Sequence, residues 1–359
     1  MTVAFTFPGQ GSQAVGMGKD LADAFPSASA VFDQVDDALG EKLSAVMWEG
    51  PAETLTLTQN AQPALMAVSM AVMAVLEQEF GVTVAGKASF VAGHSLGEYS
   101  ALAAAGTFSI SDTARLLRIR GEAMQAATPV GTGAMAALLG LDFEAAMKVA
   151  EEAAQGDVCQ AANDNAPGQV VVSGSKAAVE RAVDIAKAHG ARRAMLLPVS
   201  APFHCVLMQP AADVMAGALS DVDMAAPAVP LVANVVASGV SDASRIRDNL
   251  VAQVTGTVRW RESVAWMVDN GVTGFVEVGA GKVLTGMARR MAPSYLLCHE
   301  PSRHSPTDTG SAVGRRCGCS SKFRLESSPS TSVSCVACRV SDLAGTVAGD
   351  LTLAKTNRA

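Results

Sequence analysis

Ser95 lies in the run Val91-Ala92-Gly93-His94-Ser95-Leu96-Gly97-Glu98, and a hydroxyl in these surroundings can serve as a nucleophile. Residues 89–92 are apolar and strand-like, while 96–106 are good helix formers, so the serine falls on a sharp strand-to-helix turn. Gly93 and Gly97 flank it where side chains would crowd such a turn. The helix that follows points its free N–H groups and positive dipole end toward the hydroxyl, so an oxyanion formed there would be stabilised. The same run also reads as a Gly-rich turn in which the serine merely caps a helix.

A serine nucleophile needs a base, and the chain offers five histidines. His94 adjoins the serine, but a neighbour on such a turn is expected to project away from the hydroxyl. His189 precedes Gly190 at a predicted helix end, where the terminal carbonyls account for it. His299 and His304 fall in an irregular C-terminal stretch. His204 remains, at a loop-to-helix junction behind Ala201-Pro202-Phe203, with packing at a helix start as its alternative role. No aspartate is placed to complete a Ser-His-Asp arrangement, so an amide or a backbone carbonyl is the expected orienting group.

A cation is also implied. On the helix predicted from Ser111 to about Gln125, Arg115, Arg118 and Glu122 form a solvated stripe, whereas Arg120 stands on the apolar side with Leu116, Leu117 and Met124. A buried guanidinium needs an anion, and its fork suits a carboxylate held through two hydrogen bonds. That carboxylate is either a ligand or an internal acid such as Glu98.

These residues need a scaffold, and the chain can build one. Its 359 residues are 49% hydrophobic, ample for a large core. The first strand, 3–7, opens into Pro8-Gly9-Gln10-Gly11-Ser12-Gln13, a loop of the kind that lines sites in α/β sheets. No G-K-[ST] follows it, which argues against a phosphate loop, and Gly279-Ala280-Gly281-Lys282 is too short for one. Helices are expected at 27–39 and 63–80, the second apolar all round and hence buried, with Pro63 in its first turn.

From 128 to 197 the pattern changes to strand 133–139, helix 143–154, strand 158–162, strand 170–172, helix 176–188 and strand 194–197. This β-α-β-β-α-β order predicts a ferredoxin-like small domain inserted into a larger α/β-hydrolase-like domain formed by 1–127 and 198–291. Asn163-Asp164-Asn165-Ala166-Pro167-Gly168, between its halves, reads as turn chemistry. Beyond it the α/β pattern resumes, with a strand at 229–233, helices at 242–254 and 258–270, and a strand at 274–278.

The net charge of −7 is uneven: 292–359 carries eight Lys/Arg against five Asp/Glu, leaving nineteen basic and twenty-nine acidic residues in 1–291. An acidic body is a poor nucleic-acid binder. Neither a membrane span nor a signal peptide is read, and with only Cys159 and Cys205 in the body a reducing, cytoplasmic setting is expected.

Taken together, seven blocks resemble the malonyl-CoA:acyl-carrier-protein transacylases of bacterial fatty-acid synthesis and, more broadly, the acyltransferase domains of fatty-acid and polyketide synthases. They are Phe7-Pro8-Gly9-Gln10-Gly11-Ser12-Gln13, Gln62-Pro63-Ala64, Gly93-His94-Ser95-Leu96-Gly97-Glu98, Arg120-Gly121-Glu122-Ala123-Met124-Gln125, Asn165-Ala166-Pro167-Gly168-Gln169, Ala201-Pro202-Phe203-His204 and Glu277-Val278-Gly279, in family order across residues 1 to about 291. The resemblance implies Ser95 as nucleophile, His204 as base, Arg120 as carboxylate clamp, and the backbone N–H groups of Gln10 and Leu96 as oxyanion donors. It further implies that the Gln253 carbonyl orients the histidine, that Gln62 and Asn165 line the site, and that Phe203 disfavours branched acyl units.

The implied activity is transfer of malonyl from malonyl-CoA to acyl carrier protein through a malonyl-serine, by a monomer needing no metal or redox cofactor. Arg192 and Arg193 are the first candidates for docking the acidic carrier, with Lys282, Arg289 and Arg290 beside them. A serine hydrolase or thioesterase, or a non-catalytic acyl-CoA-binding protein, are the rival readings. The segment 292–359 departs from the family as an irregular Ser-, Cys- and Arg-rich tail. Its Cys317, Cys319, Cys335 and Cys338 offer zinc-type ligands, but the first spacing is atypical and no metal site is expected.

Overall fold

The first strand, β1 (Val3–Phe7), is buried along its whole length, because it is the parallel partner of two other strands at once. A strand covered on both faces cannot alternate polar and apolar residues, which explains the unbroken Val-Ala-Phe-Thr-Phe. The computed structural model describes residues 2–129, 131–292 and 296–298.

After β1 come six helices: α1 (Lys19–Ala24), α2 (Pro26–Leu39), α3 (Leu43–Glu49), α4 (Ala52–Thr56), α5 (Thr58–Phe80) and α6 (Val84–Lys87). Strand β2 (Phe90–Gly93) then leads into α7 (Gly97–Ala104) and α8 (Ile110–Ala126). A second sheet unit follows, β3 (Gly133–Leu139), α9 (Phe143–Ala154), β4 (Cys159–Ala166), β5 (Gln169–Ser175), α10 (Lys176–Ala188) and β6 (Arg193–Leu196). The chain returns through α11 (Gln209–Ser220), β7 (Leu231–Ala233), β8 (Ser238–Val240), α12 (Ala243–Thr255), α13 (Trp260–Asp269), β9 (Gly274–Glu277), α14 (Val283–Met291) and β10 (Leu296–Cys298).

The larger sheet has the order β10-β9-β1-β2-β7-β8, parallel except for the β7–β8 hairpin. The smaller has the order β4-β5-β3-β6, all antiparallel, with its own apolar core between the strands and helices α9 and α10. Loops at the carboxyl ends of parallel strands collect on one edge of a sheet, and Pro8–Gly9, Ser95 and Asn234 all follow the ends of such strands. Helix α5 is buried nearly all round, against α2, α7 and α8. It is the only described helix long and apolar enough to cross a membrane, and most of it lies inside the core.

The structure departs from the sequence-based expectation at three places. Helix α5 starts at Thr58 and so carries Pro63 in its interior. Its polar first residues read as loop, but Thr58, Asn60 and Gln62 are buried and hydrogen-bonded, to Gln10, the Thr54 carbonyl and Thr58 respectively. Second, Asn163, Asp164 and Asn165 belong to strand β4 and not to a turn, with register irregularities on either side of Asn163 and Asp164. Their polarity is satisfied from the larger unit: Asp164 pairs with Arg261 at 2.8 Å, and Asn165 meets His94.

Third, the tail expected to be irregular from 292 contributes β10 (Leu296–Cys298), an apolar triplet that pairs in parallel with the open edge of β9. The tail cysteines Cys317, Cys319, Cys335 and Cys338 lie outside the described residues.

Candidate active site

Ser95 occupies the gap between β2 and α7 with φ 55°, a left-handed conformation that costs a side-chain-bearing residue about 1–3 kcal/mol. The turn closes this tightly only because its flanks are glycine. A Cβ on Gly93 would lie 1.9 Å from the Gly97 carbonyl group, and one on Gly97 would lie 2.2 Å from the Phe7 carbonyl oxygen. Asn234, just after β7, clamps the elbow: its Oδ1 accepts from the Ser95 N–H at 2.8 Å and its Nδ2 donates to the Gly93 carbonyl at 2.7 Å.

The Ser95 Oγ stands 2.7 Å from His204 Nε2, while His204 Nδ1 donates to the Gln253 carbonyl at 2.9 Å. With its proton committed to that carbonyl, the imidazole presents Nε2 as an acceptor for the serine hydroxyl. Burial first, and the neighbouring positive charge of Arg120 second, push the His204 pKa down to about 3, so the ring is uncharged at neutral pH. The orienting group is a backbone carbonyl, one of the alternatives left open by the sequence. His204 too sits at positive φ, 58°.

Arg120 is 1% exposed, on the inner face of α8. Nη1 donates to Gln62 Oε1 at 2.6 Å, and Nη2 donates to Gln253 Oε1 at 2.8 Å and to Ser95 Oγ at 3.1 Å. The guanidinium also lies over the Tyr99 ring, 5.6 Å from its centroid. Among the described residues it forms no ion pair: Glu98, its possible internal partner, is separated from it by the Gln253 side-chain amide. Arg118 is less solvated than its stripe suggested, donating to Asn60 Oδ1 at 2.8 Å and pairing with Glu41.

These groups share a cavity of about 470 Å³. Gln10, Gln62, Leu96, Arg120, Phe203 and His204 all contribute to its wall around Ser95. The backbone N–H groups of Gln10 and Leu96 make no hydrogen bond among the described residues. Asn165 is not in the wall. It acts one step back, with Oδ1 at 2.8 Å from Nε2 of His94, and Asn163 of the same strand lines the cavity in its place.

His94 also contributes to the cavity wall, while its ring is engaged by Asn165 and the serine hydroxyl is engaged by His204. His189 donates its backbone N–H to the Ile185 carbonyl at the end of α10, and its ring stands 2.8 Å from Glu152. Arg192 and Arg193 lie outside the cavity, exposed at the start of β6, whose far end runs into Leu197 and Val199 of the wall. Asn234 escaped the sequence reading, its only available signal being a polar residue at the carboxyl end of a parallel strand, whereas Glu98 was read only as an acid for Arg120.

A hydroxyl touching an uncharged imidazole, beside a fixed guanidinium without a carboxylate, suits attack on a carbonyl whose substituent carries an anion. Comparison with known proteins points the same way. The acyl transferase domain family matches residues 4–297. The malonyl CoA-acyl carrier protein transacylase of Escherichia coli K12 is 49% identical over 301 residues, spanning 83% of this chain and 96% of that protein. The Bacillus subtilis protein of the same name is 47% identical over 80% of this chain and 90% of its own length.

Among solved structures, the acyl-carrier-protein S-malonyltransferase of Bartonella henselae superposes with a TM-score of 0.82 at 60% identity, covering 83% of this chain and 95% of that one. A malonyl-transacylase in complex with the acyl-carrier protein of a type II PKS gives a TM-score of 0.80 at 44% identity, over 84% and 95%. With its mixed α/β architecture, its elbow serine and these relatives, the chain belongs to the acyl transferase domain family, among the malonyl CoA-acyl carrier protein transacylases.

Proposed function

We propose that this chain moves a malonyl group from malonyl-CoA to the phosphopantetheine thiol of acyl carrier protein, supplying malonyl-carrier for fatty-acid synthesis. Ser95 gives its proton to His204 and attacks the thioester carbonyl. The backbone N–H groups of Gln10 and Leu96 hold the oxyanion, each contributing about 3 kcal/mol to the transition state. The thioester C–S bond breaks, the imidazolium returns the proton to the CoA sulfur, and a malonyl-serine ester remains. The carrier thiol then reverses these steps, a ping-pong course.

The observation that carries this reading is Arg120. It is buried, faces the cavity, lies 3.1 Å from the Ser95 oxygen and has no carboxylate among its partners. A malonyl carboxylate would complete it, whereas an acetyl group would leave it unpaired, a loss of several kcal/mol. Phe203, in the same wall, restricts branched acyl groups. Gln62 and Gln253 hold the guanidinium, and Asn165 steadies His94.

In this reading 1–127 and 198–291 form an α/β-hydrolase-like domain and 128–197 a ferredoxin-like insertion, which the β4-β5-β3-β6 order and the two helices on that sheet support. The protein works as a cytoplasmic monomer without metal or redox cofactor, and Arg192 and Arg193 meet the acidic carrier.

Intact-mass measurement after adding malonyl-CoA tests the proposal. The wild type is expected to gain one malonyl group and pass it to phosphopantetheinylated carrier, while Ser95→Ala gains none. Arg120→Ala is expected to lose malonyl loading by about 10²-fold or more relative to acetyl loading. Steady hydrolysis without carrier would favour a thioesterase, and tight binding without added mass a non-catalytic acyl-CoA-binding protein.

A further inference from the structure

One buried carboxylate has no part in the reaction above. Glu98, on α7, is fully buried. Its Oε2 accepts from Gln253 Nε2 at 2.7 Å and from the Asn234 N–H at 3.3 Å, while Oε1 is buried without a hydrogen-bond partner. The oxygen of the same Gln253 amide accepts from Arg120 Nη2 at 2.8 Å. A carboxylate and the guanidinium thus stand on the two ends of one amide. Gln253 is not free to turn, because its Nε2 also donates to the Ser95 carbonyl at 3.0 Å and its own carbonyl holds His204.

Few other charges reach this site. Arg120 comes from α8, and Tyr99 adjoins Glu98 on α7. His204 lies near the guanidinium and His94 near His204, both with pKa values lowered chiefly by burial. Strands β1, β2 and β7 bring no charged side chain, and α5 carries Glu77 and Glu79 only at its exposed far end. With the cavity empty, Arg120 and an ionised Glu98 balance one another. A carboxylate set on Arg120 leaves two negative groups around one positive, out of water.

We propose that Glu98 is a positioning and charge-balancing residue that binds a proton from solvent as a malonyl carboxylate settles on Arg120. This rests on the malonyl reading above. Burial already holds the Glu98 carboxyl up to about 7, so a further negative charge nearby tips it toward the protonated form at neutral pH. Acylation itself takes no proton from solution there: the serine proton passes through His204 to the CoA sulfur as the C–S bond breaks and the ester C–O bond forms. Net uptake therefore reports another group.

The test follows malonyl loading by intact mass and, in parallel, by a pH indicator in weak buffer. The wild type is expected to take up roughly half a proton per malonyl group at pH 7.5 and almost none at pH 5. Glu98→Gln, which keeps an oxygen for Gln253, is expected to gain malonyl mass with no uptake at pH 7.5. Malonyl mass without uptake in the wild type, or undiminished uptake in Glu98→Gln, overturns this inference and leaves the malonyl reading standing. Absence of malonyl mass overturns both. Should Glu98→Gln not fold, the wild-type pH dependence decides: a maximum between about pH 7 and 8 supports Glu98, and one below about pH 6.5 belongs to an imidazole and overturns the proposal.

Discussion

His204 and Arg120 are two basic side chains packed around one hydroxyl, and only one of them can carry charge there. Burial and the guanidinium keep protons off the imidazole down to about pH 3. A pKa depressed from its ordinary value gives stability that is full above about 6.5 and is lost as pH falls through the folded value; Glu98, raised to about 7, runs the other way. For the reaction the sign is simpler, because the base stays competent in acid. With malonyl-CoA saturating, the rate of Ser95 malonylation is expected to stay flat from about pH 7 to about pH 5, without the usual histidine limb near 6.5. Quenched-flow mass measurement across that range checks it, and a half-maximal point near pH 6.5 would contradict the buried, uncharged ring.

At this scale the sequence was informative where residue type alone restricts chemistry. Ser95 stood between two glycines, His204 was left among few histidines, and Arg120 was the arginine on the apolar side of its helix. Asn234 was illegible and Glu98 was read only as an acid for Arg120, because their actual partners stand 139 and 155 residues away.

Elements were most legible where burial was uniform. Strand β1 and helix α5 declared themselves by runs that are apolar but for Thr6 and Ser69, whereas the start of α5 and the strand character of 163–165 were hidden by polar residues that find partners only in the folded chain. The strand-to-helix elbow joins both cases, since its glycines are visible but their necessity is steric. Gly97→Ala would drive a methyl group onto the Phe7 carbonyl at 2.2 Å and is expected to cost about 2–4 kcal/mol. Gly217→Ala, inside α11 with nothing within 4 Å of its Cβ position, is expected to gain about 0.5–1 kcal/mol. Urea denaturation of the two variants side by side measures both signs.

For the whole molecule the governing quantity is charge. The body is acidic, so an acidic carrier needs a local basic patch, and exposed Arg192 and Arg193 stand at the start of β6, which leads to Leu197 of the cavity wall. Charge reversal at both positions is expected to raise KM for the carrier about tenfold and to leave malonyl-CoA loading unchanged. Steady-state transfer kinetics beside loading by mass distinguish the two. The family was legible from motif order, while β10 was not, because a short apolar triplet in a Ser- and Cys-rich stretch becomes a strand only beside an open edge.

The central place of β1 carries one more consequence. Its neighbours are β2 on one side and β9 on the other, so this strand is flanked by one that leaves the ribosome some 270 residues later. On the ribosome the small unit, contiguous from Gly133 to Leu196, can close as it emerges. The large sheet must keep an apolar seam open beside β1 until the nascent chain has passed Glu277, the interval in which a chaperone has most to cover.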